Sequence, residues 1–317
     1  MDSFDFHPEK PELAEQAPKG GLSLTFFSLV LFVLIFLLFF GDEINFIVYL
    51  VIVLLIHELG HFLAMKAFKY KNVRMLFVPL MGAFVQGTKS NYSQRQSFIV
   101  TAAGPLPGIL IGTILVVYGA ENRAEWMLTV GILFLLLNVI NLLPLDPLDG
   151  GQLFKLFMKK KHELFLMIFA FLSSLAMIGV GWFMGSYVLM IFGFFMGFRV
   201  RAMQKKYEIH KELNDEGVDY ATTYKSLSNE AYAKIKRVVI EYTPALQKYM
   251  DQVSADDIDP VLASQVNSVL VAPLKKDTSF IFRVLLLLLW IASFAVPIIL
   301  FMNIDIQWYL PEITSLN

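Results

Sequence analysis

His57, Glu58 and His61 stand in the order H-E-x-x-H within residues 51–66, VIVLLIHELGHFLAMK. Residues four apart on an α-helix share a face, so both imidazoles can point at one metal ion. The glutamate beside them can hold and deprotonate a water on that metal. The five-residue pattern alone is short enough to arise by chance. Here it lies in a run that is otherwise apolar from Ile44 to Ala64. An acid at the centre of a bilayer costs roughly 2.5–3.5 kcal/mol even on lenient scales. Three ionisable groups within one turn therefore call for a compensating partner, and a divalent cation supplies one. The competing reading is a cluster at a helix end, wetted by the membrane interface.

A catalytic zinc takes three protein ligands and keeps one position for water. Asp149 is the leading candidate for the third. It follows an apolar run, and Gly150-Gly151 lets the backbone bend toward the metal. Asp146, three residues earlier, competes with it, and an aspartate before glycine is also an ordinary turn residue. Asn141 is a candidate donor to a developing oxyanion. It would serve equally as an asparagine bonded to a neighbouring helix or a freed backbone carbonyl.

Apolar elements must position these residues. Of the 317 residues, 56% are hydrophobic and 17% charged, against about 45–50% and about 25% in a soluble domain. The composition is that of a polytopic membrane protein. A net charge of −1, with no basic patch interleaved with aromatics, argues against a nucleic-acid partner. The absence of cysteine excludes a disulfide framework and a thiolate metal site.

Apolar runs long enough to span occur at residues 22–40, 44–66, 98–118, 126–143 and 280–302, and residues 163–198 read as a hairpin of two short spans. The first run reads as an anchor, not a removed signal. The expected fold is an all-α polytopic membrane protein with about seven transmembrane helices. A disordered tail is expected over 1–21, the first helix over 22–43, and a membrane core that carries the H-E-x-x-H over 44–198. A small soluble helical domain on the cytoplasmic side should follow over 199–278, then a last helix and short tail over 279–317. In that domain Ala233, Ile235, Val238, Val239, Tyr242 and Leu246 recur at helical spacing.

Two irregular stretches stand out. Residues 76–86, LFVPLMGAFVQ, are too short to cross and carry Pro79 and Gly82 near the middle. They read as a re-entrant β-hairpin, which needs protein cover or a wet cavity at that depth, or as a surface loop packed on the bundle. Gly104-Pro105-Leu106-Pro107-Gly108 predicts a kink near the start of the third span. His7, His162 and His210 read as surface residues, and Trp126, Trp290 and Trp308 as interfacial anchors.

Lys and Arg residues number four in each of the turns 66–74, 155–161 and 199–206, none in 41–45, one in 119–125 and none after 302. The basic side faces the cytoplasm. This puts the H-E-x-x-H and Asp149 near the inner face, and a bacterial inner membrane is the expected compartment.

His57-Glu58-Leu59-Gly60-His61, then Asn141-Leu-Leu-Pro144, then Leu148-Asp149-Gly150 follow in order in different apolar runs. In this the chain resembles the site-2 protease family of intramembrane zinc metalloproteases, over roughly residues 44–198. The resemblance implies one zinc ion per chain held by His57, His61 and Asp149, with Glu58 as the base. It implies a re-entrant hairpin, which residues 76–86 would supply. It also implies a transmembrane protein substrate, cleaved within the lipid bilayer in regulated intramembrane proteolysis. One departure is plain. The family's A-G-P-x-x-N pattern here reads Ala103-Gly104-Pro105-Leu106-Pro107-Gly108, with glycine in place of the asparagine. Any role of that asparagine at the site is lost or moved.

Other function classes fit less well. A metal transporter needs ligands from face to face, and the outer halves of the spans offer none. A catalytically silent scaffold has no need of all four key residues. A prenyl-protein protease would want a later glutamate ligand on a helix.

Overall fold

Hydrocarbon offers no hydrogen-bond partners, so apolar runs of this length close their backbone bonds internally, as helices. The computed structural model describes residues 7–13, 22–41, 44–78, 82–89, 92–145, 148–157, 162–252, 255–306 and 308–309. The chain forms two units, residues 18–160 with 275–317, and residues 1–17 with 161–274.

The first of these carries, in order, α1 (Leu22–Phe40), α2 (Ile44–Ala67), β1 (Lys71–Val78), β2 (Gly82–Thr88), β3 (Tyr92–Ser93), α3 (Gln94–Ala102), α4 (Pro105–Glu121), α5 (Glu125–Asn141) and α6 (Asp149–Phe157). The expected kink is a full break. α3 stops at Ala102 and α4 starts afresh at Pro105. Proline lacks the N–H that would continue α3, yet suits a first helical turn.

The expected hairpin is present and longer than residues 76–86. β1 and β2 pair antiparallel, Met75 opposite Val85 and Val78 opposite Gly82. Gly82 takes a left-handed φ of 95°, which suits a residue without Cβ. Pro79 lies outside the described residues. The other edge of β1 is occupied by α1. Thr25 Oγ1 donates to the Met75 carbonyl (2.6 Å), and the Phe77 N–H donates to Ser28 Oγ (3.1 Å).

The other unit contains α7 (His162–Phe183), α8 (Tyr187–Asp215), α9 (Asn229–Glu241), α10 (Pro244–Met250) and α11 (Ala255–Val269). Leu213, Ile235, Val238, Val239, Leu246, Leu262 and Val266 form its core. Ser228 caps α9 by accepting from the Ala231 N–H, satisfying one of the orphan donors of the first turn. Part of the stretch expected to be a disordered tail is docked here. Lys10 Nζ donates to the carbonyls of Tyr224 (2.8 Å) and Leu227, Tyr224 Oη donates to the Pro11 carbonyl (2.8 Å), and Leu13 packs on the core. A lysine that reaches carbonyls at the end of a short helical turn has a specific place to bind.

α12 (Phe280–Asn303) returns to the first unit. Its Trp290, expected as an interfacial anchor, is tied into the fold. The indole Nε1–H donates to the Leu142 carbonyl (2.9 Å) and the ring lies beside Phe157. His210 is not a surface residue. It is 2% exposed, with both ring nitrogens partnered.

Four described helical segments are long and apolar enough to cross a membrane: Ile44–Ala67, Gln94–Glu121, Glu163–Phe183 and Phe280–Asn303. Two shorter apolar helices run over Ser23–Leu38 and Glu125–Asn141. The fold is thus mostly helical with a small two-stranded sheet, and it carries at least these four candidate spans; the count of seven rests on the sequence alone.

Candidate metal centre

α2 buries His57, Glu58 and His61 on consecutive turns. His57 Nε2 and His61 Nε2 lie 3.2 Å apart, and Asp149 Oδ2 lies 3.1 Å from the first and 3.2 Å from the second. The three atoms form a nearly equilateral triangle. Tetrahedral zinc binds N and O ligands at roughly 2.0–2.2 Å, which sets them on the order of 3.3 Å apart. The triangle matches one face of such a tetrahedron.

The outer nitrogens show which lone pairs point inward. His61 Nδ1 is 2.8 Å from the Val100 carbonyl, which can only accept, so the proton sits on Nδ1 and the Nε2 lone pair faces the triangle. His57 Nδ1 is 2.7 Å from Asn138 Oδ1, again an acceptor. Two imidazole nitrogens and one carboxylate oxygen, with no thiolate, form a donor set that suits zinc. Glu58 adds a second sign. Its Oε2 is buried and makes no hydrogen bond to any described residue. A buried carboxylate oxygen is expensive to leave unpaired, and a group beside a metal centre that works on water is where that cost is met.

Glycines let the backbone come this close. A Cβ at position 104, in the break between α3 and α4, would lie 2.2 Å from His61 Nε2. A Cβ at position 150 would lie 2.0 Å from the Leu142 carbonyl oxygen. α6 therefore starts directly against the end of α5, and Asp149, its first residue, is carried to the histidines.

The structure thus brings together His57, His61 and Asp149, with Glu58 next to them on α2. Asp146 lies outside the described residues. Asn141 is half-buried at the last position of α5. The asparagine that touches a histidine is Asn138, one turn earlier and fully buried. Sequence reasoning passed over it. The available signal was a lone amide within the apolar run LLLNVI, where a polar side chain needs a partner.

Residues 45–124 match the description of Peptidase family M50. A zinc metalloprotease of Methanocaldococcus jannaschii is 28% identical over 112 residues, 34% of this chain and 32% of that protein. Stage IV sporulation protein FB of Bacillus subtilis is 30% identical over 119 residues, 35% of this chain and 40% of that protein. The chain therefore spans between about a third and two-fifths of the length of these relatives. A solved site-2 protease from Methanocaldococcus jannaschii is similar at 22% identity with a TM-score of 0.44, over 55% of this chain and 88% of that one. The family match covers α2 with its H-E-x-x-H and stops short of Asp149, which only the fold joins to it. The segment that carries the H-E-x-x-H is thus similar to peptidase family M50 and to a protein named as a zinc metalloprotease.

Proposed function

We propose that this chain is a zinc-dependent endopeptidase that hydrolyses peptide bonds within or near transmembrane segments of membrane-protein substrates. The observation that carries the reading is the triangle of His57 Nε2, His61 Nε2 and Asp149 Oδ2, with sides of 3.1–3.2 Å, reached from inside an apolar helix. The match of residues 45–124 to peptidase family M50 and the similarity to a zinc metalloprotease support it.

His57, His61 and Asp149 hold one zinc ion, which when bound supplies Lewis acidity toward water and toward a peptide carbonyl. Glu58 takes the proton of the attacking water and passes it to the leaving amine. Its buried, unbonded Oε2 is suited to that proton. Asn141 is the candidate donor to the oxygen that gains charge.

A helical substrate has its amides locked in i→i−4 bonds, so the segment to be cut must be extended first. An extended segment can add to the β1–β2 hairpin as a further strand. With α1 seated on β1, β2 is the strand to which it would add. The break at Ala103-Gly104 lies against His61 and would help gate entry. The distribution of basic residues among the turns supports a centre toward the cytoplasmic side of a bacterial inner membrane. The hairpin is then re-entrant and the 199–278 region cytoplasmic.

The test is cleavage of a single-span reporter by the purified full chain in lipid, with metal content measured alongside. We expect zinc in the wild type, fragments from the reporter, and a Glu58→Gln variant that keeps zinc but does not cut. A well-folded wild type that takes up no divalent ion would overturn the reading of the centre. Glu58→Gln turnover equal to wild type would remove Glu58 from the role of base.

A further inference from the structure

Asn138 is wholly buried in α5, a helix that is otherwise apolar around it. Its Nδ2 donates to the Phe134 carbonyl at 2.7 Å. A backbone carbonyl only accepts, so this bond fixes which end of the amide is which. Oδ1 then faces His57 Nδ1 at 2.7 Å. An amide oxygen also only accepts, so the His57 proton must sit on Nδ1. The Nε2 lone pair is left facing His61 and Asp149.

The space for this amide comes from another helix. A Cβ at position 108 of α4 would lie 2.2 Å from Asn138 Nδ2 and 2.6 Å from Oδ1. Any side chain at 108 would displace the amide. The amide projecting from α5 fills the volume that the missing side chain on α4 vacates.

We infer that Asn138 is the positioning residue for His57, and that Gly108 and Asn138 form one device in which α4 leaves room for the amide by which α5 orients this ligand. A buried amide could be retained for packing alone. Packing, however, does not require an acceptor aimed at a metal ligand, and outer partners of ligating histidines typically govern metal affinity by about 10–100-fold. The inference rests on the zinc reading of the centre.

The test is zinc affinity of the full chain in lipid, read by competition with a chelator of known affinity. Asn138→Leu, which keeps the volume and removes the acceptor, should weaken zinc binding by about 10–100-fold. Gly108→Ala should cause a similar loss in the wild-type background and little further loss in an Asn138→Ala background, because its effect passes through the amide. Gly108→Asn combined with Asn138→Ala sets an amide into the same space from α4 and should recover much of the affinity lost by Asn138→Ala. If Asn138→Leu fails to fold, this pair decides, since it leaves the volume filled. Asn138→Leu binding zinc as tightly as wild type would overturn the inference. So would a double variant no better than Asn138→Ala. Neither result would touch the zinc reading, which falls only if the wild type binds no zinc.

Discussion

His57 and His210 are both buried, and both set Nδ1 against a side-chain oxygen, yet only one belongs to the candidate metal centre. The difference lies in the second nitrogen. His57 Nδ1 meets Asn138 Oδ1 at 2.7 Å, and its Nε2 points at two further donors. His210 Nδ1 meets Glu163 Oε1 at 2.8 Å, and its Nε2 meets the Val269 carbonyl at 2.9 Å, with the ring stacked on Tyr220. Both nitrogens of His210 face protein oxygens, so neither is open to a cation. A histidine beside a carboxylate therefore does not identify a metal site. A histidine whose outer nitrogen is held and whose inner lone pair converges with others does.

This contrast can be broken or sharpened by substitution. The largest effect should come from Asp149→Ala. Removing a direct ligand should weaken zinc binding beyond the roughly 10–100-fold typical of an outer partner, read as zinc stoichiometry in the purified variant. Unchanged stoichiometry would hand the ligand role to Asp146 or another group. Glu58→Gln should leave zinc in place and lower cleavage by on the order of 10²–10⁴, the usual weight of a general base, measured as the initial rate on the reporter.

Gly150→Ala should come next. Its Cβ would meet the Leu142 carbonyl oxygen at 2.0 Å, so α6 must shift and carry Asp149 off the histidines. Zinc affinity should fall by about tenfold or more. The smallest effect on zinc should follow His210→Ala, and there the contrast is sharpest. Zinc binding should be unchanged, while the α8–α11 unit loses about 1–3 kcal/mol through a carbonyl left without its donor. Amide exchange in α8 and α11 would report that loss. A zinc defect in this variant would contradict the distinction drawn here.

Much of the centre was legible because its signals are local. Two histidines four apart need only one helix to share a face, and Pro105 ends a helix wherever it falls. The L-D-G aspartate could be paired with them because it follows an apolar run on the side marked by basic turns. What could not be read depends on partners far along the chain. Asn138 is defined by Gly108 on one side and His57, 81 residues away, on the other. Asn141 drew attention because Pro144 follows it. His210 sits among charged neighbours in sequence, which describe the outer face of α8. Its inner neighbours, Glu163 and Val269, are 47 and 59 residues away. Lys10 looked like part of a solvated tail for the same reason, since its acceptors lie more than 200 residues on. Trp290 resembled a belt residue because a tryptophan in an apolar helix gives no sign that its N–H will find a carbonyl at the end of α5.

The side chains of Thr25 and Ser28 do more than fasten α1. By meeting the Met75 carbonyl and the Phe77 amide, they stand in for a neighbouring strand that never arrives. A chain trimmed to begin after residue 41 would bare that flank of the hairpin, and an exposed strand margin is a template for edge-to-edge self-association. The first helix would then act as a guard against clumping, separate from any part it plays in hydrolysis.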